Sequence, residues 1–329
     1  RNKNSLISSN TSGIPLKDIT DNMEKEFLTH VCITHFFNPV KVMKLCELIP
    51  GKFTSNNTIK VLKDFLSVEM NKGVVSAKDT VNFIGNRIGC FFMLKGLYEG
   101  KVARNNGLTI EEIDYLLSKP IGLPPTGLYG LIDLRGLDVM YSVGKNLEIN
   151  LPKNDEGLNY VNLPEEEYQM YKNGQLGRKT GGGFYRMKKL SDGNKIKEVY
   201  NPTEKKWTIA NKIENNFNSD LFLDKTPQGN IVWNIMGSTL LYAAELIPEI
   251  ANDIVNVDRA MKWGFAWQQG PFEMLDKIGI KNVISTCDKK NIQLPKMLKI
   301  CKEKDIDSFY KDDEYLSIEG IYKKINSIQ

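Results

Sequence analysis

The chain has 329 residues, 41% hydrophobic and 26% charged, with a formal net charge of +4. That is an ordinary globular balance, long enough for two or three domains, and its interspersed lysines and acids exclude a concentrated nucleic-acid surface. No apolar run approaches the roughly 20 residues of a membrane-spanning helix, and five scattered cysteines without a C-x-x-C pair predict a reduced, cytoplasmic protein with no structural zinc.

The chain opens at Arg1 rather than a methionine and enters the strand-like "SLISSNTS" at once, which predicts a piece of a longer polypeptide. Over residues 5–79 short apolar runs alternate with helical spacing. Strands are expected at Leu6–Ser9, His30–Phe36, Lys44–Ile49 and Val74–Ala77, and helices over Pro15–Phe27 and Asn57–Asn71. This pattern suits the later half of an α/β sheet. From Phe83 the texture turns helical: Phe83–Glu99, then Thr109–Leu117, opened by a Thr-x-x-Glu capping box at Thr109 and Glu112. Residues 151–167 read as a polar loop. "GRKTGGGFYRMKKLSDGNKIKEVYNP" (177–202) reads as a glycine turn and a hairpin with its tip at Ser191–Asn194. A helical region then resumes near Gly229 and is expected to run to the end.

An internal repeat supplies further organisation. "IDYLLSKPIGLPPTGLYGLIDLRGLD" (113–138) aligns with "VDRAMKWGFAWQQGPFEMLDKIGI" (257–280) across a one-residue gap, matching Asp114 with Asp258, Gly127 with Gly270, Asp133 with Asp276 and Gly136 with Gly279. Upstream, "NRIG" (86–89) and "NIMG" (234–237) each open an apolar helix. Two copies are too few for a solenoid, so a duplicated helical domain packing as a pseudo-dimer is expected.

The chemistry concentrates in "THFFNPVKVMKLCELIPG" (34–51). A strand ends near His35 because Asn38-Pro39 stops the ladder, and an antiparallel return sets Glu47 beside it. Imidazole titrates nearest neutrality, and a neighbouring carboxylate would orient the ring and favour its protonated form. The residues alone leave two options open, a catalytic histidine or a structural one. His30, the only other histidine, has no patterned acid nearby. No G-x-S-x-G elbow supports a serine hydrolase. "GQLGRKTGGG" fails as a phosphate loop because Gly174 and Gly177 are too close and Arg178 interrupts, yet Arg178 and Lys179 form a cationic turn that could meet a phosphate.

In order, "SSNTS" (8–12), "HFFNP" (35–39), "NRIG" (86–89), "GRKTGGGFY" (177–185) and "GPFEMLDKIG" (270–279) resemble the 3-hydroxyacyl-CoA dehydrogenases of fatty-acid β-oxidation. "KDTVNFIGNRIG" and "WNIMGSTLLYAAELIPEIA" look most like bacterial bifunctional members. The resemblance implies an α/β remnant, the C-terminal half of a Rossmann-type NAD-binding domain over 1–80, followed by mainly α structure. That structure is a first helical domain over 81–187, a hairpin and linker over 188–228, and a second, duplicated helical domain over 229–329. It implies NAD as cofactor, an acyl-CoA substrate, and the rest of the same polypeptide, with an enoyl-CoA hydratase domain, as partner.

It also implies roles. His35 would take the proton of the 3-hydroxyl, Glu47 would stabilise the imidazolium, and Ser12 and Asn86 would hydrogen-bond the substrate oxygens. Ser12, Asn38 and Lys179 would touch the cofactor. Two departures stand out. The family's Asp-x-Pro-Gly-Phe appears as "DTVNF", with Val81 and Asn82 in place of Pro and Gly, and the G-x-G-x-x-G turn is expected upstream of Arg1. The isolated chain is therefore expected to bind NAD poorly and not to turn over. The competing readings are an assembly module in which His35 is idle, and a 6-phosphogluconate-type dehydrogenase with a lysine base.

Overall fold

The computed structural model describes residues 5–213 and 221–327. Residues 214–220 of the expected linker, Arg1 and Gln329 lie outside the described residues. The chain divides into two compact units, residues 1–89 with 240–329, and residues 90–239.

The first unit contains a four-stranded sheet of β1 (Ile7–Ser9), β2 (Val31–Phe36), β3 (Leu45–Pro50) and β4 (Gly73–Ser76), in the order β1-β2-β3-β4. β1 runs parallel to β2 and β3 parallel to β4, whereas β2 and β3 are antiparallel. The sheet is thus mixed. β2 and β3 are buried along nearly their whole length, with Cys32, Ile33, Leu45, Cys46, Leu48 and Ile49 fully buried among the polar Thr34, His35 and Glu47. Each large apolar side chain so removed from water contributes about 1.5–3 kcal/mol.

The helix expected over Pro15–Phe27 is two short pieces, Leu16–Ile19 and Lys25–Leu28, parted by a turn in which Asn22 has φ 69°. Asn56–Asp64 begins at Ser55, whose Oγ accepts the Thr58 N–H, and continues as a π-helical turn over Phe65–Glu69. After β4 the chain turns at residues 77–84 and enters the helix Gly85–Asn105. Asp79 accepts the N–H groups of Leu16 and Lys17 there, and the Lys78 N–H donates to the Ile250 carbonyl at 2.9 Å.

The later part of this unit holds the helices Ile254–Gly264, Pro271–Ile278, Ile280–Lys289 and Lys296–Glu303. Ile254–Gly264 and the residues after it lie close against the sheet. A Cβ on Gly73 would come within 2.4 Å of the Trp263 ring, and one on Gly89 within 2.1 Å of Phe265, so both positions need the bare backbone. The expectation of helix to the end is corrected. Tyr310–Lys311, Glu314–Leu316 and Tyr322–Lys324 form a small antiparallel sheet, anchored where Asp276 accepts the N–H groups of Phe309 and Tyr310.

The second unit is helical around a three-stranded sheet of Tyr185–Lys189, Lys195–Asn201 and Lys206–Ile209. The capping box at Thr109 and Glu112 forms as expected and opens Ile110–Leu116. Residues 151–167 contain a short 3-10 turn, Glu156–Tyr160, and the start of the helix Glu165–Lys172.

The residues matched in the repeat do matching work. Asp114 accepts the N–H groups of Tyr129 and Gly130, as Asp258 accepts those of Phe272 and Glu273. Asp133 accepts those of Phe184 and Tyr185, as Asp276 accepts those of Phe309 and Tyr310. Gly136 and Gly279, at φ 105° and 91°, each join two consecutive helices through a backbone conformation only glycine adopts freely. No helix among the described residues is long and apolar enough to cross a membrane.

Candidate active site

The antiparallel register of β2 and β3 sets His35 directly opposite Glu47. Side chains of directly opposed residues point to the same face of a sheet, so the two groups meet. His35 Nδ1 lies 2.6 Å from Glu47 Oε2, with both residues buried. Glu47 has no freedom left: its Oε1 accepts the N–H groups of Ile84 at 3.1 Å and Gly85 at 2.8 Å, at the start of the helix Gly85–Asn105. Exposed amides at a helix N-terminus favour an anion there. A carboxylate so placed makes Nδ1 the donor and leaves Nε2 as the ring nitrogen able to accept a proton. Phe37 and Phe83 flank the imidazole, with ring centroids 4.6 and 5.6 Å away. Such an arrangement is chemically able to serve as a general base.

The other expected residues fall in several places. β1 ends at Ser9, so Ser12 lies in an exposed bend beyond the strand rather than ending it. Its carbonyl accepts a hydrogen bond from Asn86 Nδ2 at 3.2 Å, which brings Ser12 and Asn86 together. Asn38 is exposed just past the end of β2, at a cis peptide bond with Pro39. Lys179 belongs to the second unit, in the turn Arg178–Thr180, and pairs with Asp138 at 2.6 Å. Slight burial works against the Asp138 charge, but the hydrogen bond and charge of Lys179 hold its carboxyl below the usual range. His30 precedes β2 and sits 3.3 Å from the Thr29 hydroxyl.

Three features escaped the sequence reading. Asn10 Oδ1 accepts the Phe36 N–H and ties the end of β1 to the end of β2. Asn82 and Phe83 have φ 60° and 51°, so Asn82 supplies the left-handed conformation for which asparagine is the common substitute for glycine. Arg87 is buried and donates to the Tyr242 hydroxyl at 2.6 Å and to Glu249 at 3.2 Å. Only its place in the "NRIG" motif could have drawn attention to it. The five cysteines are free and buried, and burial pushes the thiols of Cys32, Cys46 and Cys90 up to about 12, which leaves them poor nucleophiles. Among the described residues no group of three or more His, Cys, Asp or Glu is placed to hold a metal ion.

Residues 1–80 match the NAD binding domain of 3-hydroxyacyl-CoA dehydrogenase, and residues 83–187 match the C-terminal domain of the same enzyme. The chain belongs to the 3-hydroxyacyl-CoA dehydrogenase family. Its NAD-binding domain is therefore present rather than missing, a correction to the expected remnant, although no G-x-G-x-x-G occurs within the matched residues. A Rickettsia prowazekii protein named as a fatty acid oxidation complex trifunctional enzyme is 36% identical over 302 residues, covering 90% of this chain and 41% of that protein. A Bacillus subtilis protein named as a 3-hydroxyacyl-CoA dehydrogenase is 34% identical over 320 residues, covering 94% and 40%. The chain thus spans about two fifths of the length of the curated relatives it matches. The solved 3-hydroxybutyryl-CoA dehydrogenase of Escherichia coli K12 shares the fold, with a TM-score of 0.63 at 19% identity over 90% of this chain and 75% of that one.

Proposed function

We propose that this chain supplies the proton-abstracting residues of a longer enzyme that catalyses the NAD-dependent oxidation of (S)-3-hydroxyacyl-CoA to 3-oxoacyl-CoA in fatty-acid β-oxidation. The observation that carries the reading is the buried 2.6 Å pair of His35 and Glu47. His35 Nε2 takes the proton of the 3-hydroxyl as the C3–O bond gains double-bond character. Glu47 holds the ring through Nδ1 and compensates the positive charge that develops on it. Both groups are water-excluded, so the attraction is little screened at the moment the charge appears. Ser12, already a neighbour of Asn86, hydrogen-bonds the reacting oxygen, and Asn86 does the same for the substrate's oxygen.

Bound NAD supplies the acceptor for the C3 hydride. Polar groups beyond the ends of β1 and β2, Ser12 and Asn38, suit the amide-bearing nicotinamide end, and Lys179, in the second unit, is a cation of the kind that suits a phosphate. Residues 1–80 contain only Gly13, Gly51 and Gly73, and none makes a phosphate-cradling glycine turn. We accordingly propose that these 329 residues alone hold NAD weakly and do not turn over. Micromolar NAD affinity measured by calorimetry on this chain would contradict that.

The domain reading is 1–80, 81–187, 188–228 and 229–329, with the second and fourth as duplicates. The matched bonds of Asp114 with Asp258 and Asp133 with Asp276 support it. The trifunctional name of the Rickettsia relative supports further catalytic domains in the same polypeptide, and an enoyl-CoA hydratase domain is the partner we propose among them. The test is His35→Ala in the full-length protein. Loss of oxidation with assembly unchanged supports catalysis, and full retained turnover supports the assembly-module alternative.

A further inference from the structure

We propose that Arg87 and Tyr242 are positioning residues that hold the His35–Glu47 pair in register by way of the turn at residues 81–85, an inference that rests on the dehydrogenase reading above. Glu47 is fixed on one side by the Ile84 and Gly85 N–H groups. Those groups end a turn whose Asn82 and Phe83 both have positive φ. Consecutive left-handed residues persist only where the surroundings over-determine them.

Arg87 supplies that determination. Its side chain is 1% exposed, and its Nη1 reaches back to the Val81 carbonyl at 3.4 Å, at the head of the turn. Its Nε donates to the Tyr242 hydroxyl and its Nη2 to Glu249. A guanidinium stays charged when buried, so it must keep such partners, and its planar fork fixes their relative places. The same later segment straps the turn's entry, with Lys78 Nζ donating to the Pro248 carbonyl at 2.6 Å. It also supports the imidazole: Phe265 packs edge-on against Phe37, which lies against His35. Residues 242–265 thereby brace both members of the pair, the ring through Phe37 and the carboxylate through Arg87. Loosening the brace withdraws two amide donors from Glu47 and lets its carboxylate rotate away from Nδ1. The pair is the proton acceptor, so the loss falls on turnover rather than on binding.

The experiment is Tyr242→Phe in the full-length protein, which removes the hydroxyl acceptor and keeps the ring. We expect kcat to fall about tenfold, with KM for NAD and for the acyl-CoA within about twofold. In a Glu47→Gln background the same substitution should change kcat by less than about twofold, because the step it supports is already lost. Arg87→Lys should retain more turnover than Arg87→Met; if Arg87→Met does not fold, Tyr242→Phe still decides. Lys296→Met, which breaks an exposed pair with Glu245, should leave kcat unchanged. Unchanged kcat in Tyr242→Phe, or an equal fall with and without Glu47, overturns the inference. Full turnover in His35→Ala sinks the dehydrogenase reading itself, whereas an inactive His35→Ala beside an unaffected Tyr242→Phe sinks only this proposal.

Discussion

His35–Glu47 and Lys179–Asp138 are pairs of equal length in opposite surroundings. Each spans 2.6 Å, but the first has side chains 3% and 0% exposed and the second 44% and 38%. Distance alone therefore says little about what a pair does. In water a cation and a carboxylate at contact are screened and mobile, worth about 0–1 kcal/mol. Inside the sheet the same contact orients one ring, fixes one tautomer and leaves one nitrogen able to act. The buried pair needs the rest of its unit to hold it, and the exposed pair does not.

The sharpest way to break this contrast is His35→Ala in the full-length protein, expected to lower kcat by about 10³-fold. The ring's removal leaves Glu47 Oε2 unpaired, so stability should fall as well, and a native circular-dichroism spectrum at the assay temperature would show that the loss of turnover is chemical. Glu47→Gln comes next, at about 10²-fold in kcat. Its amide nitrogen would donate to Nδ1 and move the ring proton to Nε2, the wrong tautomer for a base. Urea unfolding should also show a loss of about 1–3 kcal/mol from the disturbed buried hydrogen bonds.

Asp258 sharpens the comparison from another side, as a buried carboxylate whose donors are neutral: the Tyr310 hydroxyl and the Phe272 and Glu273 N–H groups. Burial pushes its carboxyl up to about 8, against the pull of those hydrogen bonds. The folded state then binds the proton more tightly than the unfolded one. The stability linked to this group is full below the ordinary carboxylate value near 3.8 and is lost as pH rises through about 8. Melting temperature should fall between about pH 4 and 8, and Asp258→Asn should flatten that slope. The smallest effect is expected at the exposed pair. Lys179→Met should change stability by less than about 1 kcal/mol, and in the full-length protein should raise KM for NAD a few-fold at unchanged kcat.

The difference between the two regions also marks what was legible in the sequence. The His35–Glu47 meeting followed from local rules: an apolar run, an Asn-Pro stop, a return strand and a fixed register. The four strands of the sheet were readable for the same reason. Arg87 was not, because its partners Tyr242 and Glu249 lie 155 and 162 residues away. The turn at Asn82 and Phe83 was seen as a departure from the family pattern, but its conformation depends on that distant brace. The terminal strands were missed because each is two or three residues long, too short for a period to register. The matched aspartates were found as letters, and their shared work of binding backbone amides emerged only with the fold.

The most direct measurement is the ¹⁵N spectrum of the His35 imidazole at a pH where the ring is neutral. The chain has two histidines, so His30→Gln assigns the signal. Protonated Nδ1 with bare Nε2 is the result expected if Glu47 fixes the ring for proton abstraction. A neutral ring protonated at Nε2, unaltered by Glu47→Gln, would contradict it.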